Sequence, residues 1–267
     1  MKTVLDCSCR SISASYLSTG SAAEHKNGDH CHDRYEITYF ISASGRYIVE
    51  GVEHKVTRGS LIIIRPKSYH RAELEDTPGT ECYTVYFSKE ALPSSVVKML
   101  DTMTAGEYNH GHFYRPGILP EDVLSTFDRF AVSDKLEDEA REMFMQAVLT
   151  ELLVLLSSVE GESMVDTDEE LGARVARYIN LNIERNVSLD RLAKRFFVSK
   201  YYLCRAFKSY CGTSPHAYIN QKRIIHAKGL IESGMTASGA AERVGFGDYS
   251  AFYRAYVKIV GKSPTAE

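Results

Sequence analysis

Up to about residue 110, the chain alternates short apolar runs with turn residues. The runs are rich in β-branched and aromatic side chains, as half-buried strands are. The four clearest are YEITYFIS (35–42), GRYIVEG (45–51), SLIIIRP (60–66) and CYTVYFS (82–88). Glycines and a Pro-Gly pair separate them, which favours tight turns. The pattern predicts an antiparallel β-sandwich or small β-barrel.

From residue 133 to residue 158 the apolar positions change to helical spacing. Steps of three and four residues run from Leu136 to Leu156 and form one stripe. Towards the end, Leu149, Leu153 and Val154 spread the apolar surface around the helix. We therefore expect one face to pack on the barrel and another on a second subunit in a homodimer. A core helix of a monomer is the alternative.

A polar, acidic stretch follows, EGESMVDTDEE (160–170), and it lacks regular apolar spacing. We interpret it as a linker. The predicted division is a barrel domain at 1–160, a linker at 161–170 and a helical domain at 171–267. The expected fold class is two-domain α+β: an antiparallel β-barrel with C-terminal helices, then an all-α domain.

The charge is divided unevenly between these domains. From Leu171 onward the chain has 16 Lys and Arg against 6 Asp and Glu, a net charge of +10. Because the whole chain has a net charge of −3, the first 170 residues have −13. This asymmetry is typical of a nucleic-acid-binding module joined to a domain that does not contact nucleic acid. A basic domain that is merely well solvated is the alternative.

The helical domain contains an internal repeat. Residues 188–215 align with residues 236–264; Arg195 pairs with Arg243 at an offset of 48, and Arg205 with Arg254 at an offset of 49. Each copy predicts a short helix, a tight turn and a longer helix. This is the layout of a helix-turn-helix motif, whose second helix enters the major groove of DNA. We place the two motifs at 188–211 and 236–260.

Capping residues mark the ends of the predicted helices. The predicted N-caps are Ser188, Ser199, Thr236 and Asp248, and the predicted C-terminal stops are Gly212 and Gly261. Between the two copies, SPHAYINQKRIIHAKGLI (214–231) predicts one helix, with Ser214 as its cap and Pro215 at its first position. That helix would hold the two motifs on one face of double-stranded DNA.

The second helix of each motif has polar side chains opposite its apolar stripe. Arg205 and Arg254 are candidates for bidentate contacts with guanine, each worth ~1–3 kcal/mol of discrimination between bases. Lys200 and Lys208 are suited to phosphate contacts, which position the protein without reading sequence. An ordinary solvated basic face is the alternative, and the repetition of the same arrangement speaks against it.

The last ~100 residues resemble the DNA-binding domain of AraC/XylS-type transcription regulators. SLDRLAKRFFVSKYYLCRAFK is similar to the first motif of that family, and ERVGFGDYSAFYRAYVKIVGKSP to its C-terminal signature. The resemblance implies a sequence-specific regulator of promoter or operator DNA, an activator and not an enzyme. It also implies that the barrel is cupin-like, binds a small-molecule effector and helps the chain dimerise. An activator would have RNA polymerase as a further partner.

Position in the motifs and the exposed faces together give one predicted set of DNA contacts. Its members are Lys200, Tyr201, Cys204, Arg205, Lys208, Tyr249, Ser250, Tyr253 and Arg254. The second motif departs from the family pattern, because Ala237, Gly239 and Ala240 stand where larger residues and a Glu are usual. A glycine inside a helix costs about 1 kcal/mol relative to alanine. We therefore expect the second motif to be the less stable one.

The barrel contains a histidine-rich string, HCHDRYE (30–36), and a further histidine at 70. His30, His32, Glu36 and His70 form a three-His, one-carboxylate set of the kind that holds a divalent metal in cupin enzymes. Alternation along a strand puts the two imidazoles of His-x-His on one face, as a metal needs. A metal-dependent cupin enzyme with a helical appendage is therefore the alternative function. The resemblance to regulators favours ligand recognition, with no metal and no cofactor.

We predict that polar groups around this string bind a small polar effector. The predicted effector-binding residues are His30, His32, Glu36, Arg46, Tyr69 and His70. The chain has no Trp, so a carbohydrate, one class of effector that fits, would have to stack on Tyr or Phe.

The remaining features indicate where the protein acts. Its six cysteines lack the regular spacing of a disulfide scaffold, and the start MKTVLDCSCRS has no apolar signal region. No apolar run approaches the ~18 residues that span a bilayer. We expect a cytoplasmic protein with reduced thiols and no membrane partner.

Overall fold

A computed structural model describes residues 2–19, 30–75, 79–105, 109–165, 170–184 and 187–265. The strands within these ranges are β1 Lys2–Ser8, β2 Ile12–Thr19, β3 Tyr35–Ser42, β4 Gly45–Val49, β5 Val52–Val56, β6 Leu61–Ile64, β7 His70–Leu74, β8 Thr80–Phe87, β9 Asn109–Tyr114 and β10 Glu162–Val165. The α-helices are α1 Ser94–Met103, α2 Asp122–Arg129, α3 Asp138–Ser157, α4 Leu171–Leu181, α5 Leu189–Arg195, α6 Lys200–Cys211, α7 Pro215–Glu232, α8 Ala237–Arg243 and α9 Tyr249–Val260.

The strands form two antiparallel sheets. The larger has the order β1-β2-β8-β3-β6-β9-β10, and the smaller has the order β5-β4-β7. Phe40 of β3, Tyr47 of β4 and Ile62 of β6 belong to one core, so the two sheets face each other. We call this pair of sheets the barrel. The predicted antiparallel fold of the N-terminal domain is confirmed.

Strand β3 uses both faces of the larger sheet. Ile37 belongs to the same core as Leu152 of α3, on the outer face that the helices cover. Because side chains alternate along a strand, Glu36 and Phe40 point to the opposite face, into the barrel. Both are buried. This alternation brings a carboxylate into a largely apolar interior.

The helix predicted at 133–158 is present as α3, Asp138–Ser157, after a 3-10 stretch at Phe130–Lys135. Leu149, Leu152 and Leu153 are fully buried, whereas Met143 is 67% exposed. The broad apolar surface is thus partly explained by burial on the barrel. The homodimer remains a prediction.

A strand lies where the sequence predicts only a linker. Residues Glu162–Val165 form β10, antiparallel to β9, and Met164 is buried between the sheets. A four-residue strand with one inward apolar side chain is too short to give a visible alternation, so the pattern does not reveal it. Within the described residues, no helix combines the length and hydropathy needed to cross a bilayer.

The helical domain confirms the predicted caps. All four predicted N-cap side chains accept hydrogen bonds from backbone N–H groups in the first turns of α5, α6, α8 and α9. Gly212 and Gly261 end α6 and α9 with φ angles of 76° and 82°, in the left-handed region that favours glycine. The connecting helix α7 begins at Pro215 with Ser214 as its cap, as predicted.

Candidate functional site

Helix α6 buries one face and exposes the other. Leu203 and Phe207, one helical turn apart, are completely buried, while Arg205 and Lys208 are exposed and Tyr201 is 77% exposed. The face therefore combines two cations with an aromatic ring that can pack against sugar or base.

Helix α9 repeats this arrangement. Phe252 and Tyr256 are completely buried, and the side chains on the opposite face are exposed. Of the nine predicted DNA contacts, eight are exposed and Cys204 is partly buried; the eight are Lys200, Tyr201, Arg205, Lys208, Tyr249, Ser250, Tyr253 and Arg254. Lys200 Nζ lies 2.5 Å from Asp190 Oδ1, and an exposed ion pair of this kind contributes little to stability.

The turn between α5 and α6 contains a residue that the sequence patterns did not single out. Phe197 has a φ of 56° and its side chain is 94% exposed. The equivalent residue in the second motif, 48 positions later, is Gly245 with a φ of 84°. A bulky residue in left-handed conformation is strained, and strain of this kind concentrates at functional sites. The glycine at the aligned position of the second motif is the sequence signal that could have marked residue 197 as a left-handed turn position.

Helix α7 connects the motifs and packs against both. Tyr218 and Ile219, near its start, belong to the core of the first motif, and Ile224 and Ala227 belong to the core of the second. The core of the first motif also contains Tyr69 of the barrel. One helix therefore contacts the barrel and both helix-turn-helix motifs.

A buried ion pair joins the barrel to α7. Lys222 Nζ donates to Glu50 Oε1 at 2.6 Å, and both side chains are almost completely inaccessible. The hydroxyl of Tyr218 donates to the other carboxylate oxygen of Glu50, and the backbone N–H of Tyr69 donates to Oε1 at 2.7 Å. Burial would raise the pKa of Glu50, but Lys222, together with His110 and the Tyr218 hydroxyl, more than offsets this and lowers the pKa, so the carboxyl is ionised.

Glu50 occupies an unfavourable backbone position. It forms the β4–β5 turn with Gly51, and both residues have positive φ, 47° and 87°. Two-residue hairpin turns of this type favour Asn or Gly at the first position. A glutamate there is explained by its contacts with α7. A second ion pair joins α7 to the barrel: Lys228 Nζ lies 2.5 Å from Asp33 Oδ2.

Four predicted site residues of the barrel lie together and form what we call the His/Glu cluster: His30, His32, Glu36 and His70. Their potential ligand atoms all lie within 4.8 Å of one another. Topology produces this convergence: His30 pairs with His70 through two backbone hydrogen bonds of 2.9 and 3.1 Å, at the start of β7. Glu36 enters from β3.

Glu36 is held from two sides. The hydroxyls of Thr38 and Tyr47 both donate to Oε1 at 2.8 Å. Oε2 lies 3.0 Å from His32 Nε2 and 3.2 Å from His70 Nε2. Burial would raise the pKa of Glu36, but the imidazoles, His70 first, hold it well below its usual range. Burial lowers the pKa of His70, but Glu36, together with the Ser68 carbonyl and the charge of Glu50, more than offsets this, so the net shift is upward.

Two spaces adjoin the His/Glu cluster. A cavity of about 80 Å³ inside the barrel is lined by His30 and Glu36, among others. A crevice of about 950 Å³ lies between the barrel and α7, and we call it the interdomain crevice. It is lined by His30 and His32 from the barrel and by Lys228 from α7. Small-molecule sites usually measure about 300–1,000 Å³, so the crevice fits an organic ligand and the inner cavity does not.

The other two predicted effector residues lie elsewhere. Arg46 is on the outer side of β4, 53% exposed, and pairs with Glu53 and Glu73 at 2.8 and 2.6 Å. Tyr69 is buried against α7, with its ring centroid 5.1 Å from that of Tyr218. The structure therefore brings four of the six residues together. The sequence patterns did not predict that Glu50 and Lys222 join the domains, because no local pattern marks a contact between residues 172 positions apart.

Two family models match the chain. Residues 13–116 match the AraC-like ligand binding domain, and residues 192–266 match a helix-turn-helix domain. The first match covers most of the barrel, and the second extends from α5 through α9 to beyond its end.

Curated relatives match over most of the chain. The HTH-type transcriptional regulator YbfI of Bacillus subtilis is 27% identical over 228 residues, which is 83% of this chain and 80% of YbfI. The HTH-type transcriptional activator RhaS of an Enterobacter species is 25% identical over 246 residues, 88% of this chain and 85% of RhaS. Among solved structures, ToxT of Vibrio cholerae aligns over 96% of both chains, with 14% identity and a TM-score of 0.40.

Proposed function

The chain belongs to the AraC/XylS-type transcription regulators, and from this premise we propose that it is an activator whose DNA binding is controlled by a small polar effector bound beside α7. As a family member it is a DNA-binding regulator with an N-terminal ligand-binding domain, and not an enzyme. RhaS relatives are named as activators, which supports the same direction of control here. The proposed place of action is the cytoplasm, as a homodimer on adjacent half-sites.

One observation supports the proposed DNA contacts. The same cationic and aromatic face occurs on α6 and on α9, and each of these helices follows a turn and begins at a capping side chain. Arg205 and Arg254 are exposed at equivalent positions of these faces. In this proposal they read guanine edges, while Lys200 and Lys208 contact phosphates. The tyrosines and Ser250 complete the contact, and Cys204 packs against it.

Binding to operator DNA tests this assignment. An operator is selected from random duplexes by the full-length protein, and binding is followed by fluorescence anisotropy at several salt concentrations. Arg205→Ala should weaken binding about 10- to 100-fold and relax the preference at one base position. Lys208→Ala should weaken all sequences alike and reduce the salt slope by about 1.

Arg58→Ala is the matched control, because Arg58 is an exposed arginine in a barrel turn. It should bind like the wild type. If Arg205→Ala bound the selected operator and its single-base variants as the wild type does, α6 would not be the reading helix.

The interdomain crevice supports the proposed effector control. His30 and His32 lie on its barrel side and belong to one cluster with Glu36 and His70, and Lys228 lines it from α7. A ligand bound there contacts both domains, so it can favour one arrangement of α7 over another. Phosphate-free sugars and other small polar metabolites are the first compounds to screen by thermal shift on the full chain.

Substitutions distinguish the predicted effector residues that line the interdomain crevice from those that lie elsewhere. A compound that raises the melting temperature of the wild type should do so less for His32→Ala when the buffer contains a chelator. Arg46→Ala, on the outer side of β4, should leave the shift unchanged. A shift lost in Arg46→Ala and kept in His32→Ala would move the effector site to the outer surface of the barrel.

A further inference from the structure

Two imidazoles of the His/Glu cluster are held in one tautomer by the backbone. His32 Nδ1 lies 2.9 Å from the carbonyl oxygen of Arg34, and His70 Nδ1 lies 2.9 Å from the carbonyl oxygen of Ser68. A carbonyl only accepts hydrogen bonds, so each Nδ1 carries the hydrogen and donates it. In a neutral ring the other nitrogen, Nε2, then has a lone pair and no hydrogen.

Both of these lone pairs point at an anion. His32 Nε2 and His70 Nε2 lie 3.0 and 3.2 Å from the same carboxylate oxygen of Glu36. Two acceptors and a carboxylate at hydrogen-bonding distance repel one another unless positive charge lies between them. Protons on these groups or a metal cation can supply that charge.

The geometry around the rings favours a cation over protons. Protonating both rings would place two positive charges on imidazoles whose centroids are 5.0 Å apart, with His70 completely buried. A third imidazole, His30, has its centroid 4.4 Å from that of His70. A single divalent ion supplies the same charge at one point, and three nitrogens and one oxygen surround that point.

Distances and outer contacts match a metal site. Zinc binds imidazole nitrogen at about 2.0–2.1 Å, so ligand atoms on one ion lie about 3–4 Å apart. The four ligand atoms, within 4.8 Å of one another, need to move by less than about 1 Å. Metal-binding histidines usually donate their second nitrogen to a carbonyl or carboxylate, as His32 and His70 do here, and Thr38 and Tyr47 hold Glu36.

We propose that His30, His32, Glu36 and His70 bind one divalent transition-metal ion at the boundary between the barrel and the interdomain crevice. Three imidazoles and a carboxylate suit Zn²⁺, Fe²⁺, Co²⁺ or Ni²⁺ and not Mg²⁺ or Ca²⁺, which prefer oxygen ligands. The inner cavity beside the ion has room for two or three waters at ~30 Å³ each.

The ion would stabilise the segment that contacts α7. His30 and His32 flank Cys31, which belongs to the core of the first motif, and Asp33 follows them and pairs with Lys228. Fixing this segment therefore fixes a contact between the barrel and the DNA-binding domain. The proposal shares side chains with the proposed effector site, and it is tested apart from it, since metal content is measured without DNA or effector.

The experiment measures metal in the untagged full-length protein. After removal of metal with a chelator and dialysis against Zn²⁺, then against buffer, elemental analysis should give about one zinc per chain. Adding Zn²⁺ at about 100 times its Kd to the stripped protein should raise the melting temperature by about 5 °C or more. Adding Mg²⁺ should not change it. Co²⁺ should give visible absorption bands typical of nitrogen and oxygen ligands.

Substitutions identify the ligands. His32→Gln, at a partly exposed position, should lose bound zinc at least 10-fold and abolish the zinc-dependent shift, and His30→Gln should do the same. His216→Ala, an exposed histidine of α7, is the matched control and should bind as the wild type does. Melting in chelator shows that each variant is folded.

Two results would overturn the proposal. One is a wild-type chain that holds no zinc after dialysis and shows no shift with Zn²⁺, Fe²⁺, Co²⁺ or Ni²⁺. The other is zinc bound equally by His32→Gln and His30→Gln, which would indicate adventitious binding elsewhere. Neither result would affect the operator-binding assay, so the regulator and the metal site fail separately.

Discussion

The first helix-turn-helix motif packs in a core that extends into the barrel through Cys31 and Tyr69. The described core of the second motif consists of residues of α7, α8 and α9 and of Val244, with no barrel residue. In that second core, helix α8 contributes Ala240 and Ala241, two small side chains. The two motifs therefore have the same order of short helix, turn and longer helix, and they differ in whether barrel residues belong to their cores.

From this difference we expect the two motifs to respond differently to an effector. A change in the barrel should reach the first motif directly, through the residues that pack on it. It should reach the second motif through α7, whose start packs with the first motif and whose middle packs with the second. We expect the second motif to be the more independent and the less stable, and the predictions below test that expectation from the largest effect to the smallest.

Phe252→Ala should have the largest effect, because the completely buried Phe252 is central to the small second core. We expect a loss of about 4 kcal/mol in the free energy of unfolding of that motif. Hydrogen exchange should accelerate in α8 and α9 and not in the barrel. Leu203→Ala, the equivalent change in the first motif, should also accelerate exchange at Cys31 and Tyr69, the barrel residues in that motif's core. Equal acceleration throughout the chain in Phe252→Ala would make the motifs one cooperative unit.

Lys222→Met should come next, at about 3 kcal/mol, because it leaves the carboxylate of Glu50 buried without its cation. Chemical denaturation of the full chain measures the loss. The double variant Glu50→Gln/Lys222→Met should recover most of it, since the remaining group is neutral. Lys228→Met, which breaks the partly exposed pair with Asp33, is the control and should cost at most about 1 kcal/mol. An equal cost for both lysines would mean that the buried pair does not anchor the domains.

Arg205→Ala and Arg254→Ala compare the motifs on DNA. We expect about 2 kcal/mol of lost operator affinity for Arg205→Ala and about 1 kcal/mol for Arg254→Ala, because a less firmly held helix forms less rigid contacts. Anisotropy with the selected operator at one fixed salt concentration measures both. A larger loss for Arg254→Ala would reverse the assignment of the stronger reading helix.

The sequence predicted the helical domain in more detail than the barrel site, for a physical reason. Caps such as Ser199 and stops such as Gly212 act within one turn of helix, so local residue types determine them, and the structure confirms them. The internal repeat then shows the same capping pattern twice. The contact of Glu50 with Lys222 joins positions far apart in the chain, and no periodicity encodes it.

The barrel site shows a different limit. The spacing of His30 and His32 and the alternation in β3 were enough to predict that these side chains and Glu36 share a face. They were not enough to choose between an effector and a metal. That choice depends on which ring nitrogen faces inward, and the carbonyl groups of Arg34 and Ser68 determine this. The sequence alone therefore favoured a site without metal, and the orientation of the two rings supports a site that binds one.

The smallest predicted effect concerns the turns of the two motifs. Phe197 has a φ of 56°, where a residue with a Cβ costs roughly 1–2 kcal/mol, and Gly245 occupies the equivalent position at no such cost. The Phe197 side chain is exposed, so removing it sacrifices little packing. Phe197→Gly should therefore raise the free energy of unfolding by about 1 kcal/mol, measured by chemical denaturation. Phe197→Ala keeps the Cβ and should give no gain, which separates backbone strain from loss of the ring. A Phe197→Gly variant that is more stable than the wild type, yet binds the operator more weakly than Phe197→Tyr, would mean that the strained aromatic ring is retained for contact with DNA. A Phe197→Gly variant that is no more stable than Phe197→Ala would mean that the turn of the first motif is not strained.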